Sequence, residues 1–197
     1  TETDSLDIEK AQLIGISLCY NENFAYYIPI KHKDLVNQKL LKDQIDEQKL
    51  LEVIKKICLD QAILKVGQNI KYDIRILNKY GIKLKSIADT MLMSYALDNG
   101  FTRHGMDDLS FRHFNYSTIK FKDLVGSGKK QISFDYVNIK EATKYAAEDA
   151  LITLKLFNFF QQRMIKEKNF YVYEKIDKPL IEVLSSMEDL GIKVDQN

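Results

Sequence analysis

The stretch ILKVGQNIKYDIRILNKYG, residues 63–81, decides the fold of this chain. Its first four residues are apolar apart from one lysine and predict a short buried strand that ends at Gly67. Asn69 is expected to cap a helix that runs to about Tyr80, where Gly81 ends it. A strand that turns directly into a helix is the repeating unit of α/β folds, and we predict that class here.

The segments before this stretch supply further strands. Residues 11–20 and 24–30 are rich in β-branched and aromatic residues, and the polar residues 21–23 (NEN) between them predict a β-hairpin. Apolar residues at helical spacing predict a helix over roughly 47–58. A hairpin followed by strand–helix alternation indicates a mixed β-sheet flanked by α-helices, with ligands at strand ends and helix N-termini.

The second half of the chain is predicted to be mainly helical. Helices are expected to start near three places: Asp89-Thr90, Met106 and Asn138. The last of these helices carries Tyr145 and Asp149 on one face because they are four residues apart. Another helix is predicted over 171–190, and residues 192–195 are expected to begin a strand.

Composition excludes several classes of protein. The 197 residues are 45% hydrophobic and 29% charged, with a formal net charge of +1, which is ordinary for one globular domain. No signal peptide or apolar run of membrane-spanning length is visible, and Cys19 and Cys58 do not suggest a disulfide framework. We therefore expect a cytoplasmic protein with no membrane contact and, since no feature demands a dimer, a monomer.

Three short acidic segments, far apart in the sequence, indicate the chemistry. They are TETD at 1–4, VGQNIKYD at 66–73 and YAAED at 145–149. Carboxylates gathered into one cleft cannot all stay ionised unless cations neutralise them. Oxygen ligands of this kind suit Mg²⁺ or Mn²⁺, and two such ions hydrolyse phosphodiesters. The three segments together predict a two-metal nuclease.

Each acidic residue also has a simpler interpretation when it is considered alone. Glu2 resembles a surface residue near a frayed end, and Asp73 resembles a carboxylate that stabilises a helix dipole. Tyr145 and Asp149 could be an interior tyrosine beside a solvated aspartate, and Glu148 is expected to lie on the surface. Only the three segments taken jointly are specific for metal binding.

Longer motifs connect the chain to a known family. They are, in order, TETDSLD, VGQNIKYD, SIADTMLMSYAL, TRHGMDDL, GSGKKQISF and KYAAEDALITL. The sequence resembles the 3′→5′ proofreading exonuclease domain of family A DNA polymerases, a tyrosine-type DEDD exonuclease. The resemblance implies an RNase H-like fold over 1–172 and release of 5′-mononucleotides from a DNA 3′ end. Residues 173–197 would be a helical connection to a polymerase domain of the same parent chain.

The resemblance also implies roles for the acidic residues. Glu2, Asp73 and Asp149 match metal ligands for two divalent cations, Mg²⁺ or Mn²⁺. Tyr145 matches the residue that orients the attacking water. One further aspartate of the family's first motif would stand immediately before Thr1, so we expect a first strand that is cut short in this sequence.

Substrate contacts follow from the same resemblance. Leu6 matches an apolar residue that wedges against the terminal bases, and Phe121 matches an aromatic residue that stacks beside it, although core packing would explain both equally well. Polar matches along the channel for a single-stranded or frayed 3′ end are Thr3, Gln68, Asn69, Tyr72 and Arg103. From the charge pattern alone, a basic rim is expected at Arg103, His104, Lys120, Lys122, Lys129 and Lys130.

Two other functions remain open at this point. A related DEDD nuclease that trims RNA ends would carry the same carboxylates. A catalytically inactive scaffold for a polymerase is a different class of protein, and the survival of Glu2, Asp73, Tyr145 and Asp149 argues against it.

Overall fold

A computed structural model describes residues 1–98 and 103–194. The strands are β1 (Glu2–Thr3), β2 (Leu13–Asn21), β3 (Phe24–Pro29), β4 (Lys65–Gly67) and β5 (Ile87–Asp89). The helices of the first part are α1 (Glu47–Leu59), α2 (Ile70–Lys79), α3 (Thr90–Asp98), α4 (Met106–Phe114) and α5 (Phe121–Val125). They are followed by α6 (Ile139–Glu167), α7 (Phe170–Val172), a π-helical turn (Tyr173–Asp177) and α8 (Lys178–Leu190).

The strands pair in both directions, as the sequence predicts. Strands β1, β2 and β3 form an antiparallel sheet in that order, and Glu2 lies opposite Gly15 of β2. Strands β4 and β5 pair in parallel, and Gly67 lies opposite Asp89. The predicted α/β fold is confirmed, with the two kinds of pairing in separate small sheets within the described residues.

The predicted hairpin is confirmed, and hydrogen bonds within the turn itself stabilise it. Asn21 accepts hydrogen bonds at its side-chain oxygen from the backbone N–H groups of Asn23 (2.9 Å) and Phe24 (3.2 Å). Such a turn lets the chain reverse within three residues. The predicted helix over 47–58 is also present, as α1.

The strand predicted over 63–66 is wrong at its start, because β4 begins only at Lys65. Ile63 and Leu64 are 42% and 45% exposed and lie in the turn before the strand. The Lys65 ammonium donates to the carbonyl oxygens of Asp60 (2.6 Å) and Ile63 (2.7 Å) and so holds that turn closed. Ile63 and Leu64 are not buried by residues from elsewhere in the chain, and a run of apolar residues in the sequence does not form a strand by itself.

Helix α2 begins after Asn69 and is followed by Gly81 with φ of +69°, as predicted. The predicted side-chain cap from Asn69 is wrong. Asn69 adopts a left-handed conformation (φ 59°, ψ 50°) and its side chain makes no capping hydrogen bond. The carboxylate of Asp89 takes this role instead, accepting from the N–H of Ile70 at 2.8 Å.

Helix α6 is the centre of the packing. It starts next to Asn138, as predicted, and Asn138 caps it, with its side chain accepting from the N–H of Lys140 at 2.9 Å. One face packs on the hairpin through Ala142 and Ala146, and the continuation of the helix packs with α3 and α4. The fully buried residues of that second part are Ile152, Leu156, Phe160 and Met164. The end of α6 nearest the hairpin therefore carries Tyr145 and Asp149.

The C-terminal helices pack against the same body. Tyr173 is only 1% exposed, and Arg75 of α2 pairs with Glu188 (2.9 Å) and Asp189 (2.6 Å) of α8. The predicted helix over 171–190 is present with a π-helical turn, and it ends before Gly191. Residues 192–194 are not in a strand, which corrects that prediction, and residue 195 lies outside the described residues. The division of the chain near residue 172 stays a prediction.

Across the residues that the structure covers, none of the helices has the length and apolarity to span a bilayer.

The close packing of Tyr27 of β3 against Gly15 of β2 leads to a testable prediction. A Cβ atom at this position would lie 2.3 Å from the Tyr27 hydroxyl oxygen and 2.4 Å from its ring carbons. We expect Gly15→Ala to lower the free energy of unfolding by about 1–3 kcal/mol, because Tyr27 must move in a packed core. Gly105→Ala is the control, since its Cβ would meet only Asp108 Oδ2 at 3.6 Å. Urea unfolding of both variants measures the difference, and equal stabilities would contradict the prediction.

Candidate active site

A cleft of about 650 Å³ runs between β1 and the loop before α6. It brings together six of the residues that the sequence singles out: Glu2, Thr3, Leu6, Tyr72, Phe121 and Tyr145. The remaining lining comes from neighbouring residues of the first segment and from 131–134. Residues that are up to 143 positions apart in sequence, Glu2 and Tyr145, thus share one surface.

The end of β1 is fixed to α2 by hydroxyl groups. The hydroxyls of Thr3 and Tyr72 lie 2.5 Å apart, and Tyr72 also donates to the carbonyl oxygen of Ser5 at 2.9 Å. Burial raises the pKa of the Tyr72 phenol, so this residue is a neutral hydrogen-bonding group. Tyr72 therefore holds one wall of the cleft in place.

Asp73 lies directly against the start of β1. Its Oδ1 accepts from both the backbone nitrogen and the hydroxyl of Thr1, each at 2.7 Å. Burial raises the pKa of the adjacent Glu2; the amino group of Thr1 opposes this change and the Asp73 carboxylate adds to it. The Asp73 carboxylate is thus close enough to Glu2 to disfavour the ionised form of Glu2.

Asp149 is a strongly perturbed carboxyl group. Burial raises its pKa to about 8; the charge of Glu2 adds to this rise, while a hydrogen-bonding interaction with Tyr145 opposes it. Its Oδ1 is buried and has no hydrogen-bond partner in the described part of the protein. A buried carboxylate oxygen without a donor is costly unless a cation or water satisfies it.

Tyr145 stands beside Asp149 on α6. Burial raises the pKa of its phenol well above the usual range, and the charges of Asp149 and Glu2 add to this effect. The side chain is therefore a neutral hydroxyl at any physiological pH. Its placement in the cleft wall, one helical turn from Asp149, is the one that the sequence spacing predicts.

An aromatic cluster forms the opposite wall. Phe121 stacks on Phe134 with ring centroids 6.1 Å apart and an interplanar angle of 15°, and Tyr145 lies 6.0 Å from Phe121. Leu6 is 87% exposed and Phe121 is 40% exposed, although both line the cleft. Core packing therefore does not explain Leu6, and it explains only part of Phe121.

Several residues expected at the substrate channel lie outside the cleft lining. Gln68 donates to the carbonyl oxygen of His104 (2.8 Å) and accepts from Thr90 (2.5 Å), so it is engaged inside the protein. Asn69 and Arg103 are exposed. Of the expected basic rim, Lys120 pairs with Asp107 at 2.6 Å, and Lys122, Lys129 and Lys130 are exposed like Arg103. Contacts of these residues with DNA stay predictions.

Sequence reasoning missed part of the wall. Ser133 and the buried Phe134 line the cleft, and Ser133 donates to the carbonyl oxygen of Asp4 at 3.0 Å. Both lie in the GSGKKQISF motif, but no local pattern marks them as site residues. Glu148 was expected at the surface; instead it accepts from the N–H of Ile119 at 2.7 Å and so holds the segment before α5.

Carboxylate oxygens are ligands of the kind that a hard divalent cation prefers. Glu2 and Asp149 are oxygen donors with raised pKa values, and Asp149 has an oxygen free to bind. Within residues 1–98 and 103–194, no three His, Cys, Asp or Glu side chains are gathered closely enough to hold one ion. Water commonly completes the coordination of Mg²⁺, so an incomplete protein ligand set is compatible with this ion.

The fold is of the RNase H-like class, as the solved structures with a similar chain path show. A solved structure described as the apo form of the nuclease superimposes with a TM-score of 0.74 at 19% identity, covering 100% of this chain and 86% of that one. Brucella melitensis NrnC gives a TM-score of 0.68 at 18% identity over 96% of this chain and 81% of its own. At such identities the likeness establishes the fold alone.

Sequence comparison identifies the family. The family model described as 3′-5′ exonuclease, of the family A DNA polymerases, matches residues 1–165. DNA polymerase I of Rhizobium leguminosarum is 43% identical, and that of Pseudomonas aeruginosa is 40% identical, each over 100% of this chain. The chain belongs to the 3′-5′ exonuclease family of these polymerases, which confirms the resemblance. It spans 21% and 22% of the length of these two relatives.

The perturbed carboxyl group of Asp149 predicts a pH-dependent stability. Without metal, the folded protein holds a proton on Asp149 up to about pH 8, whereas the unfolded chain releases it near 3.8. Stability should therefore fall as pH rises through this window, because ionisation is favoured only after unfolding. Asp149→Asn cannot ionise, so in EDTA it should unfold at a higher temperature than wild type at pH 8 and at a similar temperature at pH 4.

Calorimetric melting curves at both pH values measure this effect. The exposed Asp43→Asn variant is the control and should follow the wild-type pH dependence. If Asp149→Asn also follows the wild-type dependence, the carboxyl group of Asp149 is not perturbed as described.

Proposed function

We propose that this chain is a metal-dependent 3′→5′ exonuclease that releases 5′-mononucleotides from the end of DNA. One observation supports this above all: Glu2 lines a cleft that also has an exposed apolar and aromatic wall, and the charge of Glu2 acts on Asp149, whose buried Oδ1 has no hydrogen-bond partner in the described residues. The first feature suits binding of divalent cations at a phosphodiester, and the second suits unpaired bases. The family membership of residues 1–165 agrees with this chemistry.

Glu2 and Asp149 would hold one divalent cation, and Asp73 would hold a second one through water, with Mg²⁺ or Mn²⁺ as the ions. When bound, such cations stabilise the negative charge that develops on the phosphate and favour ionisation of the attacking water. The raised pKa values of Glu2 and Asp149 mean that both protons must leave before the carboxylates act as ligands. The aspartate expected before Thr1 would complete this ligand set.

Tyr145 would orient the attacking water. Because its pKa is raised by burial and by Asp149, the phenol stays protonated and does not act as a base. A neutral hydroxyl can still donate one hydrogen bond and accept others, which fixes the direction of a water molecule. The contact of its ring with Phe121 and Phe134 restricts where that hydroxyl can point.

The terminal nucleotides would lie along the wall that carries Leu6 and Phe121. Base stacking of this kind is tolerant of sequence, as removal of any terminal nucleotide requires. Single-stranded or frayed ends fit best, because a paired base cannot present its face to these side chains. Additional polar contacts are proposed for Thr3, Gln68, Asn69, Tyr72 and Arg103, with the exposed lysines of 122–130 as a basic rim.

The broader setting is also a proposal. The curated relatives are DNA polymerases I of about five times this length, and the 3′-5′ exonuclease family agrees with proofreading for a polymerase domain in the same parent chain. We place the protein in the cytoplasm as a monomer with this covalent partner. Residues 173–197 would lead into the polymerase domain.

Release of nucleotides from a 3′-labelled single-stranded DNA oligonucleotide tests the activity. We expect release with Mg²⁺ or Mn²⁺, no release with EDTA, and a loss of about 10³-fold or more in Asp149→Ala, because a catalytic ion loses its ligand. Asp43→Ala is the surface control and should keep full activity. Full activity of a folded Asp149→Ala variant would reject the proposal. A ribonucleotide version of the oligonucleotide separates a DNA enzyme from an RNA-trimming relative.

The apolar wall makes a second prediction. Leu6→Ala and Phe121→Ala should each weaken binding of single-stranded DNA by about 1–3 kcal/mol, because a stacked base loses its partner. Leu35→Ala and Phe111→Ala are matched controls, since these residues are exposed but do not line the cleft. Fluorescence anisotropy in EDTA, where no cleavage occurs, measures the affinities. Equal effects of the cleft variants and their controls would place the DNA elsewhere.

A further inference from the structure

Asp89, at the end of β5, is a buried carboxylate that does not line the cleft. It is 1% exposed, and all its hydrogen bonds within the described chain come from backbone N–H groups. Oδ2 accepts from Ile70 at 2.8 Å, and Oδ1 accepts from Asn69 at 3.2 Å. Oδ1 also accepts from Met91 at 2.8 Å and from Leu92 at 3.2 Å. One side chain therefore caps the N-termini of both α2 and α3.

The parallel pairing of β4 and β5 explains this double cap. Gly67 lies opposite Asp89, so the two strands end at the same edge and the two following helices start side by side. Asn69 does not cap α2 itself: it has a left-handed backbone conformation and its side chain makes no capping hydrogen bond. The first turn of α2 thus depends on a residue about twenty positions further along the chain.

A second contact from the same edge holds the turn before α2. The hydroxyl of Thr90 lies 3.2 Å from the carbonyl oxygen of Gly67 and 2.5 Å from Gln68 Oε1. On the other side, the N–H of Asp89 donates to the hydroxyl of the buried Tyr173 at 2.9 Å. Residues from three distant parts of the chain therefore fix the position at which α2 starts.

The first turn of α2 is the one that reaches the cleft. It carries Tyr72, whose hydroxyl contacts Thr3, and Asp73, whose carboxylate contacts Thr1. A displacement of the helix start shifts both groups, together with the contacts through which they hold Thr1 and Thr3 on either side of Glu2. Geometry of metal ligands is sensitive to such shifts, and partners behind the ligands commonly matter by an order of magnitude or more.

We propose that Asp89 is a positioning residue for the nuclease site: by capping α2 from β5, it sets where Asp73 and Tyr72 stand relative to Glu2. The inference rests on the proposed function for the roles of Asp73 and Glu2. Asp89 touches neither substrate nor ion, and its effect is transmitted through the first turn of α2. Its isosteric amide tests this directly, because an asparagine must face at least one of the four N–H groups with its own NH₂ group.

The test uses Asp89→Asn in the full-length protein, with single-stranded DNA as substrate. We expect kcat to fall about 10–100-fold and the Mg²⁺ concentration for half-maximal activity to rise about tenfold, as for other residues that orient metal ligands. KM for DNA should change by less than about threefold, because the wall of Leu6 and Phe121 is untouched. Amide hydrogen exchange of residues 66–73, measured without metal, should accelerate.

Asp46→Ala is the matched control, since it removes the side-chain cap of α1 (Lys49 N–H, 3.1 Å), a helix without site residues. It should accelerate exchange in α1 and leave kcat and the Mg²⁺ requirement unchanged. A folded Asp89→Asn variant with wild-type kcat, Mg²⁺ requirement and exchange overturns the proposal. So does a control that loses activity to the same extent, because the effect would then be general destabilisation.

Thr90→Val covers the case in which Asp89→Asn does not fold. It removes only the hydroxyl that holds Gly67 and Gln68, so we expect the same direction of change with a smaller size. Wild-type exchange at 66–73 and a wild-type Mg²⁺ requirement in this variant would overturn the proposal. A wild-type protein that releases no nucleotide contradicts the proposed function instead, and the exchange data still decide whether Asp89 positions α2.

Discussion

Burial of negatively charged groups beside one another is the constraint on which the site depends. Desolvation and the charge of Glu2 raise the pKa of Asp149 to about 8, and one of its oxygens has no donor within the described residues. Such an arrangement is unfavourable for folding unless the rest of the chain forces it. The force comes from α6, whose apolar face packs on the hairpin and on α3 and cannot move without opening the core. Stability elsewhere thus compensates for buried carboxyl groups that, in the proposed function, bind cations.

The short strand β1, which carries Glu2, has few stabilising contacts within its own sheet. Two residues of pairing do not hold a strand in place, and β1 is fixed by side chains of α2. Helix α2 in turn takes its starting point from β5 through Asp89. The position of Glu2 is therefore determined by a sequence of contacts through three elements, which explains how a cleft on small sheets can be well defined.

The apolar wall of the cleft differs from the carboxylates in its exposure to solvent. Leu6 remains 87% exposed in the cleft that the stacked rings of Phe121 and Phe134 also line. One exposed leucine has no significance, but an exposed leucine next to aromatic faces in a cleft forms a surface that unpaired bases can cover. The acidic and apolar walls meet at Tyr145, which contacts both. In the proposed function, chemistry and recognition are thus adjacent, as cleavage of a terminal nucleotide requires.

The sequence by itself determined the hairpin, the span of α1, the start of α6 and the three acidic segments, because periodicity and turn residues are recorded within a few positions. It also determined the family, through motifs in a fixed order. Only the tertiary structure decided that Asp89 and not Asn69 caps α2, that Glu148 holds a neighbouring segment, and that Ser133 and Phe134 line the cleft. These contacts join residues about 20 to 130 positions apart, and no local pattern records which distant backbone group a side chain will meet.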